Sequence, residues 1–206
     1  MAVSFDGALI VVDVQNDFCT GGALAVPGGE EVVEPINSLL GKFAATVFTQ
    51  DWHPPNHASF ASNHSSKTPF DSIELEYGPQ VLWPDHCVIG SNGAQFRCDL
   101  KDDCADLVIR KGFRPTIDSY SAFFENDRNT PTGLEGYLQT RGIRSVCIVG
   151  LALDYCVRFS AVDAATLGFS TTVVECACRE IDLDNSGADA RSEMRECGIE
   201  LTGMPI

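Results

Sequence analysis

Short apolar runs alternate along the chain with segments of helical periodicity, and this alternation is the feature that most restricts the possible folds. Five β-branched runs predict buried strands: Ala8–Val14, Thr46–Thr49, Asp106–Arg110, Ser145–Val149 and Ser170–Val174. The spacing of apolar residues predicts helices over Glu30–Phe43, Gly133–Arg141, Tyr155–Leu167 and Ala188–Cys197, and a last short strand over Ile199–Leu201. Strand and helix in repeated succession predict an α/β fold, a doubly wound and mostly parallel sheet of about six strands with helices on both faces.

The stretch from about residue 51 to residue 103 interrupts this alternation. It has little periodicity and is rich in Pro, Ser, His and Asn, yet it contains aromatic residues and histidines that a disordered linker would lack. We interpret it as an ordered excursion that builds a binding site. Because 206 residues are too few for two comfortable domains, we expect one domain over residues 1–206 that includes this excursion.

The charge and the cysteines restrict the function and the location. A formal net charge of -15 at pH 7 argues against binding to nucleic acid or to an anionic membrane surface. No basic segment precedes the apolar run at residues 8–12, which is too short to span a bilayer. With nine cysteines and no targeting signal, we expect a reducing, cytoplasmic location, where Cys176 and Cys178 are buried structural thiols and not a metal pair.

Polar residues follow four of the predicted strands. Asp13 ends the first strand, Asp51 and His53 follow the second, Lys111 follows the third, and Cys156 comes after the fourth. Ligands of open α/β sheets bind beyond the carboxyl ends of the strands. We therefore expect a carboxylate, an Asp/His pair, a lysine and a cysteine to converge on one edge of the sheet.

Cys156 is the candidate nucleophile at this edge. It opens an apolar-periodic helix, where backbone N–H groups and the helix dipole favour a thiolate, predict a lowered thiol pKa and can receive an oxyanion. Each residue also has a purely structural alternative. Cys156 could pack in the first helical turn, Asp13 could bind a loop, and Lys111 could be an exposed lysine.

Asp51 and His53 form an Asp-x-His pair whose side chains point the same way in an extended chain, so both can reach one metal ion. The best candidate for a third ligand is His86. His57 could be a fourth ligand or a partner of a ligand, whereas His64 is expected to be exposed. Histidine and carboxylate suit one divalent metal, zinc first and iron or manganese as alternatives, with positions left open for water or substrate.

Five segments together resemble the nicotinamidase/pyrazinamidase branch of the isochorismatase-like hydrolase superfamily. In the order of the family they are ALIVVDVQNDFCTGGALAV, FTQDWHPPNHASFA, LWPDHCVIGSNGAQF, IRKG followed by DSYSAFF, and GLALDYCVRFSAVDA. They extend from about residue 8 to residue 180. One such motif would be weak evidence, whereas five in order are strong.

The resemblance implies a cysteine amidohydrolase with an Asp-Lys-Cys triad. It makes Asp13 the general base, Lys111 the residue that pairs with it, and Cys156 the nucleophile that forms a thioester. It also implies a cis peptide between Leu151 and Ala152, which turns the Ala152 N–H toward the oxyanion beside that of Cys156.

The resemblance further implies a metal at Asp51, His53 and His86 that binds the pyridine nitrogen of nicotinamide, and an aromatic sandwich around the ring formed by Phe18, Trp83 and Tyr120. The implied reaction converts nicotinamide to nicotinate and ammonia in salvage of the NAD pool, with pyrazinamide as a further substrate. Apolar positions on the late helices would permit a homo-oligomer.

Three alternatives remain at this point. Isochorismatases share the sheet and the lysine-bearing strand but cleave a vinyl ether, without a metal and without a need for the cysteine. Carbamoyl-group amidases keep the cysteine triad but generally lack the metal ligands. A binding module on the same fold is the third alternative, because a fold alone never establishes a function. The presence of both the triad and the ligand set favours the nicotinamidase/pyrazinamidase branch.

Overall fold

The structure is a computed structural model and describes residues 5–203. Eight strands occupy β1 Phe5–Val12, β2 Phe43–Asp51, β3 Ser72–Leu75, β4 Gly78–Val81, β5 Leu107–Lys111, β6 Ser145–Leu151, β7 Ser170–Arg179 and β8 Glu200–Thr202. Four α-helices occupy α1 Val33–Leu39, α2 Leu134–Thr140, α3 Arg158–Thr166 and α4 Ser186–Glu196. In this part of the chain no helix combines the length and the apolar character needed to cross a bilayer.

Six strands form one parallel sheet in the order β5-β2-β1-β6-β7-β8. The chain winds outward from β1 in both directions, so the order reverses beside β1. Alternate residues of β1 enter two separate cores. Ala8 and Ile10 pack with α2, α3 and α4, whereas Leu9 and Val11 pack with α1 on the other face. The predicted α/β fold, with a mostly parallel sheet of about six strands and helices on both faces, is confirmed.

Several element boundaries differ from the prediction; β7, for example, continues to Arg179, five residues past its predicted end. The first predicted helix is shorter, because a 3-10 turn over Gly29–Val32 precedes α1 and the chain leaves the helix before Gly41, which has a left-handed φ of 74°. Phe43, the last residue assigned to that helix, belongs to β2 instead. β2 is also longer than predicted at its other end, since it continues to Asp51, which pairs with Lys111 of β5.

The excursion after β2 is built on its own local pairing. β3 and β4 form an antiparallel hairpin, and isolated bridges join His53 to Val88 and Phe60 to Trp83. A third bridge, between Gln15 and Phe96, joins the stretch to the chain just after β1. His53 and Trp83, which belong to the stretch, therefore lie at the edge where the sheet ends.

Candidate active site

The ends of three parallel strands position the central side chains. Lys111 is the last residue of β5 and lies beside Asp51, the last residue of β2. Asp13 directly follows β1 and has a φ of 49°, a left-handed conformation that turns the chain out of the strand. Cys156 lies in a π-helical turn, Leu153–Val157, between β6 and α3. π-helical turns of this kind occur often at functional sites.

Lys111 connects the three other groups. Its ammonium lies 2.7 Å from Asp13 Oδ2, forms a close ion pair with Asp51 Oδ1, and lies 3.5 Å from Cys156 Sγ. It also donates a hydrogen bond of 3.0 Å to the carbonyl of Ser119. Lys111 is 1% exposed, so the alternative of a surface lysine is wrong. The structure thus brings Asp13, Lys111 and Cys156 into one buried cluster.

Burial controls the protonation of this cluster. It raises the pKa of Asp13 to about 6, against the lowering effect of Lys111. It also raises the pKa of the Cys156 thiol well above its usual range, with Lys111 again opposing. The prediction that the helix start lowers the thiol pKa is therefore wrong, because the cost of burying the thiolate is larger. A protonated thiol would have to lose its proton before it could act as a nucleophile, and the Asp13 carboxylate lies within hydrogen-bonding reach of it.

The three predicted metal ligands also converge. Asp51 Oδ2 lies 3.5 Å from His53 Nε2 and 3.7 Å from His86 Nε2. Each histidine contacts a backbone carbonyl through Nδ1 at 2.8 Å, the carbonyl of Gly112 for His53 and that of Pro84 for His86. A carbonyl only accepts, so Nδ1 carries a proton in both rings, and Nε2 is the atom that faces Asp51, where it can donate to the carboxylate or, when deprotonated, bind a metal.

This donor set fits a divalent cation. Two ligand atoms that each lie about 2.1 Å from a tetrahedral ion are about 3.4 Å apart, close to both distances from Asp51. The candidate ligand atoms of Asp51, His53 and His86 all lie within 4.8 Å of one another, and all three residues are buried. Burial opposes ionisation of Asp51, but Lys111 and His53 outweigh it and hold its pKa well below the usual range.

The two other histidines of the excursion lie outside this set. Both ring nitrogens of His57 have partners, Ser59 Oγ at 2.7 Å and the Ile117 carbonyl at 3.3 Å. Its ring packs against that of His53 with 4.3 Å between centroids, and burial lowers its pKa to about 4. His57 therefore supports a candidate ligand by packing. His64, which we expected to be exposed, is half-buried and contacts the Ala58 carbonyl.

A cavity opens onto Cys156 and onto the candidate ligand set, and its free volume is small, about 20 Å³. The three predicted aromatic residues line it, and Trp83 Nε1 donates a hydrogen bond of 3.0 Å to the Tyr120 hydroxyl. Ala152 also lines it, and the peptide between Leu151 and Ala152 is cis as predicted.

Four further residues line the cavity and were not predicted from the sequence, namely Leu24, Asp118, Tyr155 and Ile181. Asp118 and Tyr155 stand inside the motifs DSYSAFF and GLALDYCVRFSAVDA, next to residues that were selected. Their position in those motifs was a usable signal. Ile181 follows β7 in a stretch without any motif, so its place in the cavity depends on the three-dimensional path alone.

Comparison with known proteins agrees with this geometry. A family model described as the isochorismatase domain matches residues 7–204. The chain belongs to this family. Within it, the nicotinamidase of Acinetobacter baylyi is 54% identical over 193 residues, which cover 94% of this chain and 90% of the relative.

Two solved structures of the family show the same fold. The nicotinamidase/pyrazinamidase of Acinetobacter baumanii superposes with a TM-score of 0.94 at 52% identity, covering 96% of this chain and 95% of that one. The pyrazinamidase of Pyrococcus horikoshii in complex with zinc superposes with a TM-score of 0.77 at 36% identity, covering 97% and 100%. The chain is thus a member of the nicotinamidase/pyrazinamidase branch and an amidohydrolase.

Proposed function

We propose that this isochorismatase family member hydrolyses nicotinamide to nicotinate and ammonia. The observation that carries the proposal is that one small cavity is lined both by Cys156, which belongs to the buried cluster with Asp13 and Lys111, and by the candidate ligands Asp51, His53 and His86. The names of the relatives, which are nicotinamidases and pyrazinamidases, support the same substrate. Pyrazinamide is the second substrate that we propose.

Asp13 and Cys156 carry the chemistry in this proposal. Asp13 takes the thiol proton, and the sulfur attacks the carboxamide carbon to give a tetrahedral oxyanion held by the N–H groups of Ala152 and Cys156. Ammonia leaves with the proton that Asp13 returns, which forms a thioester. Water, deprotonated by Asp13, then cleaves the thioester and releases nicotinate. Throughout, Lys111 keeps the carboxylates of Asp13 and Asp51 in position and stabilises their negative charge.

Asp51, His53 and His86 would hold one divalent metal, for which we propose zinc first and iron or manganese as alternatives. When bound, the metal supplies an electron-withdrawing partner for the pyridine nitrogen, which orients the ring and makes the carbonyl easier to attack. The protein contributes the orientation of its ligands, because each histidine ring is fixed through Nδ1.

Three aromatic side chains would sandwich the substrate ring, namely Phe18, Trp83 and Tyr120. We propose a single domain over residues 1–206 that acts in the cytoplasm on this small molecule, in salvage of the NAD pool, without a nucleic-acid or membrane partner. Association into a homo-oligomer is compatible with this proposal.

Ammonia release from a matched set of carboxamides tests the proposal. We expect the zinc-loaded protein to release ammonia from nicotinamide and pyrazinamide, and much more slowly from benzamide, which has the same carboxamide but no ring nitrogen. Equal rates on nicotinamide and benzamide would refute a metal at the ring nitrogen. Absence of ammonia from all three would refute the proposed substrate class.

A further inference from the structure

The hydrogen bonding between β1 and β2 changes from backbone groups to side chains at the carboxyl end of the two strands. β1 ends at Val12, whereas β2 continues to Asp51. Past the end of β1, two side chains take over the hydrogen bonding between the two chain segments. Thr49 of β2 is hydrogen-bonded to Asp13, and Gln15 is hydrogen-bonded to Asp51 of β2. In both pairs the two residues are 36 positions apart in the sequence. Each pair is reciprocal.

Thr49 holds the candidate base at two points. Its hydroxyl donates to Asp13 Oδ1 at 2.6 Å and accepts from the Asp13 backbone N–H at 3.2 Å. With Oδ1 occupied by Thr49, Oδ2 is the oxygen that faces Lys111 at 2.7 Å. A left-handed φ is costly for a residue other than glycine, and the hydroxyl gives the turned N–H of Asp13 a buried partner.

Gln15 holds the backbone of the candidate metal ligand on both sides. Its Oε1 accepts the N–H of Asp51 at 2.8 Å, and its Nε2 donates to the carbonyl of Asp51 at 2.9 Å. The second hydrogen of Nε2 goes to the carbonyl of Ala94 at 2.9 Å. The buried Gln15 amide thus uses both of its N–H donors. It takes the place of the backbone hydrogen-bond partners that β1, which has already ended, no longer offers to Asp51.

We propose that Thr49 and Gln15 are a crossed pair of positioning residues, in which Thr49 aims the Asp13 carboxylate at Cys156 and Gln15 fixes Asp51 for the metal. The inference rests on the proposed function and deepens it, because it assigns the chemical step and metal retention to two separate side chains. Neither residue touches the substrate cavity, so both act through the aspartate that they hold.

The Thr49 half is tested with Thr49→Val, which keeps the shape and removes the hydroxyl. Because the hydrogen bond that is lost is to a charged carboxylate, we expect kcat for nicotinamide to fall about 10- to 100-fold. KM and zinc content stay at the wild-type values. Thr49→Ser restores most of kcat, since it restores the hydroxyl. The control is Thr46→Val, because Thr46 is a buried threonine of the same strand whose backbone N–H bonds to Asp106.

The Gln15 half is tested with Gln15→Met, measured by competition for Zn²⁺ against a coloured chelator. Loss of a partner that orients a metal ligand typically weakens metal binding about 10- to 100-fold, and we expect a change of that size. At saturating zinc, kcat returns to the wild-type value. The control is Gln50→Met, because Gln50 bonds to the same Ala94 carbonyl without bonding to Asp51.

Several results would overturn the inference. They are a Thr49→Val protein with wild-type kcat, a Thr49→Ser protein as slow as Thr49→Val, and a Gln15→Met protein with wild-type zinc affinity. If Thr49→Val does not fold, Thr49→Ala takes its place with the same expectation. The rate at which iodoacetamide alkylates Cys156 is a readout without substrate and falls in Thr49→Val. If wild type releases no ammonia, the proposed function fails, while alkylation and zinc affinity still test the pair.

Discussion

Replacing Lys111 with methionine removes the positive charge that lies between the buried carboxylates of Asp13 and Asp51. Candidate ligand atoms of Asp13 and Asp51 lie within 4.8 Å of each other. At an effective dielectric constant of about 20, two unit charges at that distance repel by about 3.5 kcal/mol. Loss of one partner of a buried ion pair typically costs about 3–5 kcal/mol. We therefore expect Lys111→Met to lower the free energy of unfolding by an amount in that range near neutral pH.

The loss of stability caused by Lys111→Met depends on pH, and the pKa of Asp13 determines in which direction. Burial raises the pKa of Asp13 from its ordinary 3.8 to about 6, so the folded chain binds more protons than the unfolded chain between those values, and stability falls as pH rises toward 6. Without Lys111 the pKa of Asp13 rises further. The stability of the Lys111→Met protein therefore continues to fall as the pH rises above 6. The loss caused by Lys111→Met is therefore larger at about pH 7.5 than at about pH 5.

Urea unfolding of the metal-stripped proteins at these two pH values measures the effect. Lys101→Met is the control, because Lys101 is exposed and an exposed substitution usually changes stability by less than about 0.5 kcal/mol. The pKa of Lys111 itself is raised above 10.5, so its own titration lies outside this pH window. A Lys111→Met protein with an equal loss of stability at both pH values would refute the coupling between Lys111 and Asp13.

Three further predictions follow from the site. Chelation is expected to weaken nicotinamide binding to the Cys156→Ala protein, measured by titration calorimetry, and added zinc to restore it; unchanged affinity would exclude a metal at the ring. Tyr120→Phe removes the acceptor of hydrogen bonds from Trp83 and Gln80, so we expect a loss of about 1–3 kcal/mol in urea unfolding, which a stable variant would contradict. His57→Gln should still bind one zinc per chain by elemental analysis, since both ring nitrogens already have protein partners; loss of zinc would make His57 a ligand.

The fold was predictable from the sequence because the strands of a parallel sheet are buried on both faces. Ile10 and Val11 point to opposite cores, so the run around them is apolar throughout and is easy to recognise. The hairpin β3–β4 carries no such signal. β3 alternates exposed and half-buried positions, but four residues are too few for that alternation to predict a strand, and β4 begins with Gly78 and Pro79, which are depleted in strands.

The site was predictable to the extent that strand ends of one sheet meet at one edge. That rule brought Asp13, Lys111 and Cys156 together before any distance was known. The thiol pKa was not predictable in the same way, because it depends on how deeply the group is buried. The partners of Asp13 and Asp51 were also missed, because Thr49 looked like an ordinary strand residue and the register that pairs it with Asp13 is set by the sheet.

Ammonia release from nicotinamide by the zinc-loaded wild type and by Cys156→Ala tests the central claim most directly. We expect release by the wild type and none by the variant, with the variant still folded and still able to bind nicotinamide. A thiol reagent should lose access to Cys156 when nicotinamide is present. Release by Cys156→Ala at a rate near that of the wild type would contradict the cysteine mechanism.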